Sequence, residues 1–289
     1  MIRIPFPVRS RPIVHLFLGA HKWPFQPNSS TRQRSFSAWR SPAAPACRST
    51  SCTLAQPASA TPKNERESGV LVEAARFSEG RPGEVQPGWG RFVVSPFATK
   101  SAYALVESGP GVVLEGRADG SASGFYRRIR VDPARHPLIE WRWRVLQAPA
   151  EVDPRVPARD DSPARVIVAF HGDKKRLDIG ERFALRLYNA LTGEKMPYAI
   201  IMYSWSSNAP VGTITANDQT GKIQTIVVEN GGGRIGEWRE LRRNVLEDYR
   251  LAFGEEPWDI VAVGVMTDAS NTREKARAQY GDISFRPEQ

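Results

Sequence analysis

Between Ile139 and Val145 apolar and charged side chains alternate strictly, Ile-Glu-Trp-Arg-Trp-Arg-Val. That period of two puts Trp141, Trp143 and Val145 on one face of a strand and Arg142 and Arg144 on the other. From about Glu65 onward the chain continues as short β-rich runs separated by Gly, Pro, Asp and Asn, predicting strands over 103–107, 112–117, 124–131, 138–146, 164–171, 183–188, 198–205, 223–228, 260–267 and 278–285. One segment has a different period. Across 237–253 the residues Trp238, Leu241, Val245, Tyr249 and Phe253 recur at steps of three and four, and Gly254 stands where a helix C-cap belongs, so an amphipathic helix is expected there. One helix among ten strands argues against an alternating α/β fold and for a β-sandwich or barrel. The Pro- and Asp-rich stretch 147–161 reads as a long surface loop, of a length that often carries function.

Composition changes this picture mainly by dividing the chain. Residues 1–64 hold nine Lys and Arg and no Asp or Glu, so the formal net charge of +9 belongs to this segment, and residues 65–289 carry 31 basic against 31 acidic side chains. The neutral remainder gives no support to a nucleic-acid partner. Residues 1–64 are expected to be a targeting or disordered segment, and 65–289 one folded domain. Arg3, Arg9 and Arg11 ahead of the apolar run 13–20, with Ala58-Ser59-Ala60 as a cleavage-like end, suggest a secretory signal and a periplasmic or secreted location. A transit peptide or an upstream-extended start codon are the alternatives. No stretch approaches the ~20 apolar residues of a membrane span. Both cysteines, Cys47 and Cys52, lie in the same segment, so the expected domain has neither a disulfide nor a thiolate metal ligand.

Candidate chemistry is sparse. Gly231-Gly232-Gly233-Arg234-Ile235-Gly236 matches a dinucleotide-binding fingerprint in letters, but no parallel βαβ unit surrounds it and no acid ends a strand about 20 residues on. Gly120-Ser121-Ala122-Ser123-Gly124 lacks a serine midway between glycines, and only His136 and His171 could serve as imidazole bases in the expected domain. Neither a nucleophile nor a histidine zinc site has a positive signal. Asp160 and Asp161, at the end of the 147–161 loop, could accept sugar hydroxyls, bind a cation or share acid–base work, or else form a solvated turn or pair with Arg142, Arg144 or Arg165. Asp268 to Thr272, with Asn271, supplies oxygen ligands between two strands, for which an Asx-type turn is favoured over calcium. No cofactor is expected. Trp205 and Trp258, at strand ends, are the tryptophans expected to be exposed, Trp205 to stack on a ligand, with Asn208 as a polar neighbour. Arg242 and Asp248 border the apolar stripe of the expected helix and should find ion-pair partners.

The ordered motifs Ala122-Ser-Gly124, Trp141-Arg-Trp-Arg-Val145, Asp160-Asp161 with Ala164-Arg165-Val166, Tyr203-Ser-Trp205, Trp238, Arg243-Asn-Val245, Asp248-Tyr249, Phe253-Gly254, Asp268 with Asn271-Thr272, and Tyr280-Gly-Asp282-Ile283 resemble the bacterial family known as domain of unknown function 3047. Where that family pattern would have an acid after the helix arginine, this chain has Asn244. The resemblance implies a bacterial origin, export from the cytoplasm and a jelly-roll β-sandwich, and no established activity. The last strand, 278–285, is similar to those of galactose-binding-like and concanavalin-like sandwiches. The leading expectation is a sandwich that binds a polar ligand, a carbohydrate or another cell-envelope component, through Arg142, Arg144, Asp160, Asp161, Trp205 and Asn208, with Arg242, Asp248, Asp268 and Asn271 in structural or ion-pair roles. A glycan hydrolase with paired carboxylates and a protein-interaction or assembly module are the alternatives.

Overall fold

The computed structural model describes residues 70–288 except 85, 95–97, 218 and 219. The basic segment 1–64, with its expected signal and both cysteines, lies outside the described residues. The described residues form an all-β, jelly-roll-like sandwich. One sheet is built from β1 (Val72–Ala75), β3 (Ala102–Ser108), β4 (Gly111–Asp119), β6 (Leu138–Gln147), β11 (Arg239–Asn244) and β13 (Lys275–Arg286), in the order β11-β6-β13-β4-β3 with β1 also on β13. The other contains β2 (Trp89–Val93), β5 (Ala122–Val131), β7 (Arg165–Phe170), β8 (Ala199–Ser206), β9 (Ile214–Asn217), β10 (Thr220–Asn230) and β12 (Ile260–Asp268), in the order β2-β5-β12-β7-β8-β10-β9. Every pairing is antiparallel except β8 with β10, which is parallel.

The alternation in β6 decides how the layers meet. Trp141 and Trp143 point between the sheets, where they are 4% and 0% exposed, and Trp141 stacks on Tyr203 of β8 with ring centroids 5.2 Å apart. The facing strands contribute Val166, Val168, Phe170, Ile201, Val263 and Val265, so one continuous core lies between the layers. Removing such area from water supplies roughly 25 cal/mol per Å². The indole N–H of Trp143 donates to Glu229 Oε2 at 2.6 Å, satisfying a buried donor.

Two sequence expectations are corrected. Residues 239–244, taken into a helix over 237–253, form strand β11 on the edge of β6, and only α2 (Val245–Phe253) is helical. The helix starts at Val245 because the Asn244 side chain accepts the Glu247 N–H at 3.1 Å, an N-cap that an extended residue can offer. Gly254 ends it in the left-handed region at φ 66°. Residues 183–188, expected as a strand, belong to a second helix, α1 (Ile179–Thr192). Asp178 and Glu181 form its capping box and Gly193 its C-cap at φ 72°. The fingerprint-like run 231–236 forms a short turn between β10 and β11, so the strand that follows removes the helix a dinucleotide site needs.

Candidate ligand-binding groove

The central strands of the seven-stranded sheet are apolar on both faces. β7 sends Val166, Val168 and Phe170 into the core and Ile167 and Ala169 the other way; β8 turns Ile201 and Tyr203 inward and Ile200 and Met202 outward; β12 adds Met266 to the outer side. An outer sheet face bathed by water is normally polar. Here it is the floor of a groove of about 780 Å³, within the range of roughly 300–1,000 Å³ typical of small-molecule sites.

The walls follow from the strand order. On one side the Phe92 ring lies directly across Gly124, using the space a side chain there would fill, and lines the groove. Tyr126 and Arg128 continue that wall; Ile223 and Thr225 of β10 form the other, and Tyr188 of α1 reaches in from above. Tyr188 also donates to the Val93 carbonyl at 3.0 Å, tying α1 to β2.

One end is closed by the 147–161 loop and a buried ion cluster. Arg165, 2% exposed, donates from Nη1 to Asp268 Oδ2 at 3.0 Å and from Nη2 to Asp160 Oδ1 and to the Asp160 carbonyl, each at 2.8 Å. Its Nε is buried and has no hydrogen-bond partner. Asp161 accepts three bonds from the 271–272 turn: Asn271 N–H at 3.0 Å, Thr272 N–H at 2.7 Å and Thr272 Oγ1 at 2.7 Å. Burial, and then the Asp161 carboxylate, push Asp268 up to about 7 against the pull of Arg165. Burial alone would weaken the charge on Arg165, but Asp160 and Asp268 hold it firmly protonated. Arg165 and Asp160 line the groove, whereas Asp161 and Asp268 stand behind them.

Cations gather elsewhere on the rim. Lys174, Lys175, Lys195 and Arg128 line it against the acids Asp173 and Glu194. Asp173 is occupied in accepting the Lys175 N–H at 2.9 Å. Burial and the neighbouring Lys195 lower the Lys174 pKa. Among the described residues no three His, Cys, Asp or Glu side chains are gathered as a metal site.

The profile of the family described as protein of unknown function DUF3047 matches residues 87–284, a span that includes both sheets and the groove. The chain belongs to this family. No curated protein matches it. Solved structures similar to this DUF3047 chain include a family 30 carbohydrate-binding module of a cellulosomal cellulase from Clostridium thermocellum, at 9% identity over 76% of this chain and 99% of that one with a TM-score of 0.34. A xylan-binding module, CBM15, is 12% identical over 76% and 98% of the two chains with a TM-score of 0.33. The Emp47p carbohydrate recognition domain is 10% identical over 76% and 95% with a TM-score of 0.37.

In this DUF3047 chain the residues singled out in the sequence fall in several places. Arg142 and Arg144 lie on the outer face of the six-stranded sheet, away from the groove. Both sit over the Trp238 ring, at 4.9 and 5.0 Å from its centroid, and Arg144 Nη2 donates to Gln279 Oε1 at 2.6 Å and Ser108 Oγ at 2.9 Å. Arg242 pairs with Glu140 on the same face at 3.6 Å. Trp205, expected to be exposed, is 2% exposed in the core, because the parity of β8 that buries Tyr203 buries Trp205 too; Trp258 is 48% exposed. Asn208 is exposed in the turn after β8, its N–H 3.3 Å from the Val152 carbonyl. Asp248 is buried beneath α2, where Arg243 donates to it from Nε and Nη2 and Tyr203 Oη donates at 2.9 Å, so Asp248 and Arg242 each have an ion-pair partner, Arg243 and Glu140. Asp268 and Asn271 belong to the ion cluster and its turn. Of Asp160, Asp161, Asp248 and Asp268, only Asp160 lines the groove, so these four do not supply two carboxylates to one cleft. The floor residues escaped sequence reasoning. Their signal was the loss of alternation in Ala164–Phe170 and Tyr198–Met202, which are apolar at both parities.

Proposed function

We infer that this chain is a binding protein whose ligand occupies the outer groove of the seven-stranded sheet, and that the ligand is an amphipathic molecule with an apolar body and an anionic end. The observation that carries this is the floor itself: Ile167, Ala169, Ile200, Met202 and Met266 line the bottom of a groove on a sheet face that no other described strand covers. An apolar body would cover that floor. The anionic end would meet Lys174, Lys175, Lys195 or Arg128 at the rim. Methionine and isoleucine suit flexible hydrocarbon better than a specific polar group, since thioether side chains repack around irregular shapes. A cell-envelope amphiphile is what the expected export of the chain would bring it to.

A glycan is the second reading, favoured by the Tyr126 and Tyr198 side chains that line the groove and by the polar end at Asp160 and Arg165. Fluorescence titration with cis-parinaric acid, an anionic chain of hydrocarbon, tests the first reading directly. Saturable binding that Ala169→Trp abolishes is expected; no binding by the wild type, together with glycan-array hits sensitive to Ala169→Trp, would establish the second reading instead.

A further inference from the structure

α1 is amphipathic twice over. Its inner side carries Leu185, packed on the core, and Tyr188 in the groove wall. Its outward side carries Ile179 and Phe183, 79% and 68% exposed, four residues apart on one helix face, with exposed Ala190 on the same strip and Leu191, 39% exposed, at its edge. Single exposed apolar residues are ordinary on protein surfaces. Here two large ones are adjacent on a rigidly capped helix, and exposed Arg182 and Arg186 lie one turn apart along the same border.

The acids of this region are engaged elsewhere. Asp178 and Glu181 are paired in the capping box, and no acid occurs from Arg182 to Gly193. The turn before the helix adds exposed Lys175, while Lys174 donates to the Met196 carbonyl at 2.6 Å and Arg176 pairs with Glu255 at 3.7 Å. An apolar strip edged by cations of one sign matches an anionic surface with an apolar interior. A helix of 14 residues is too short to cross the roughly 20-residue span of a bilayer, and no described helix is long and apolar enough to do so. The geometry is that of a helix lying in the lipid interface.

We propose that the outward face of α1 docks the protein on an anionic lipid bilayer, with Ile179 and Phe183 entering the interface and Arg182 and Arg186 meeting the lipid phosphates. The docked helix is also a wall of the groove, so the groove would open beside the membrane. The docking does not depend on what the groove holds.

The test is co-sedimentation of the full chain with phosphatidylcholine vesicles with and without one quarter phosphatidylglycerol, at 0.1 and 0.5 M NaCl. The nine basic residues of 1–64 are common to every variant, so differences between variants report α1. Ile179→Ser with Phe183→Ser is expected to lower partitioning onto anionic vesicles by about tenfold at both salt concentrations. Arg182→Gln with Arg186→Gln should lower it by about tenfold at 0.1 M and by less at 0.5 M. Unchanged circular dichroism in each variant confirms the fold. The proposal is overturned if the serine pair partitions like the wild type, if phosphatidylglycerol makes no difference, or if the serine pair abolishes a dimer seen by light scattering while leaving vesicle binding intact. Loss of parinarate binding with intact docking would count against the ligand and not against the membrane face.

Discussion

The two sheets share one core and turn opposite kinds of surface outward. On the six-stranded sheet most outer positions are charged or polar and pair with one another: Glu115 takes Arg117, Arg277 and Gln279, and Glu140 takes Arg242 and Arg286. On the seven-stranded sheet the corresponding positions are Ile167, Ala169, Ile200, Met202 and Met266. The first face needs only water. The second is apolar, with Ile200 and Met202 half-buried and Ile167, Ala169 and Met266 buried at the bottom of the groove, and its charges lie at one sealed end and on the rim. The contrast shows that paired arginines on a strand can be occupied without any acid, as Arg142 and Arg144 are by the Trp238 ring, Ser108 and Gln279, whereas a sheet apolar on both sides departs from the usual pattern of a water-facing layer.

The largest expected effect lies at the sealed end. Arg165→Met leaves Asp268 and Asp161 buried without their cation and should cost about 3–5 kcal/mol in urea unfolding, the range for breaking one side of a buried ion pair; a loss below about 1 kcal/mol would mean that water already reaches the cluster. Next is Ala169→Trp, which fills the floor without touching the core. It should weaken parinarate binding at least tenfold, about 1.4 kcal/mol, while thermal unfolding stays nearly unchanged. A wild-type affinity in this variant would place the ligand elsewhere.

The pH response comes third. The folded pKa of Asp268 is raised to about 7 by burial and then by Asp161, so the stability it contributes is full below its unfolded pKa and is lost as pH rises through about 7. Between pH 8 and 5 the wild type should therefore gain unfolding free energy with falling pH, by on the order of 1 kcal/mol per pH unit below 7. Asp268→Asn should remove that slope whatever its own cost. Parallel curves for the two proteins would show that another group titrates. The smallest effect belongs to the other sheet: Arg142→Ala with Arg144→Ala should change stability by about 1 kcal/mol or less and leave parinarate affinity alone. A clear loss of ligand binding there would reverse the assignment of the two faces.

Much of the layer arrangement was legible because period-two alternation is a direct consequence of strand geometry. Trp141, Trp143 and Val145 are buried as the β6 pattern requires, and Gly254 ends α2. Where the reading erred, tertiary pairing or local capping decided. Leu241 fits a helical stripe reaching Val245 as well as it fits the inner side of a strand; the partner strand β6 selects the strand, and the Asn244 side chain sets where the helix can begin. α1 had its own signal in Asp178-Ile-Gly-Glu181 and Gly193, overlooked because Phe183 to Tyr188 is short and apolar. The groove could be suspected from the strands apolar at both parities, but not located. Such a run looks the same whether its second face meets another layer, a helix or open space. The cluster of Asp161 with Asn271 and Thr272, 110 and 111 residues away in sequence, exists only after the chain has folded.

β13 follows every other described strand in the chain and yet lies inside its sheet, between β6 on one side and β4 and β1 on the other. During synthesis, β6, β4 and β1 must wait with open edges until residues 275–286 have been made. The six-stranded sheet therefore cannot close before its last described strand has been made, and partly formed layers with unpaired edges persist until then.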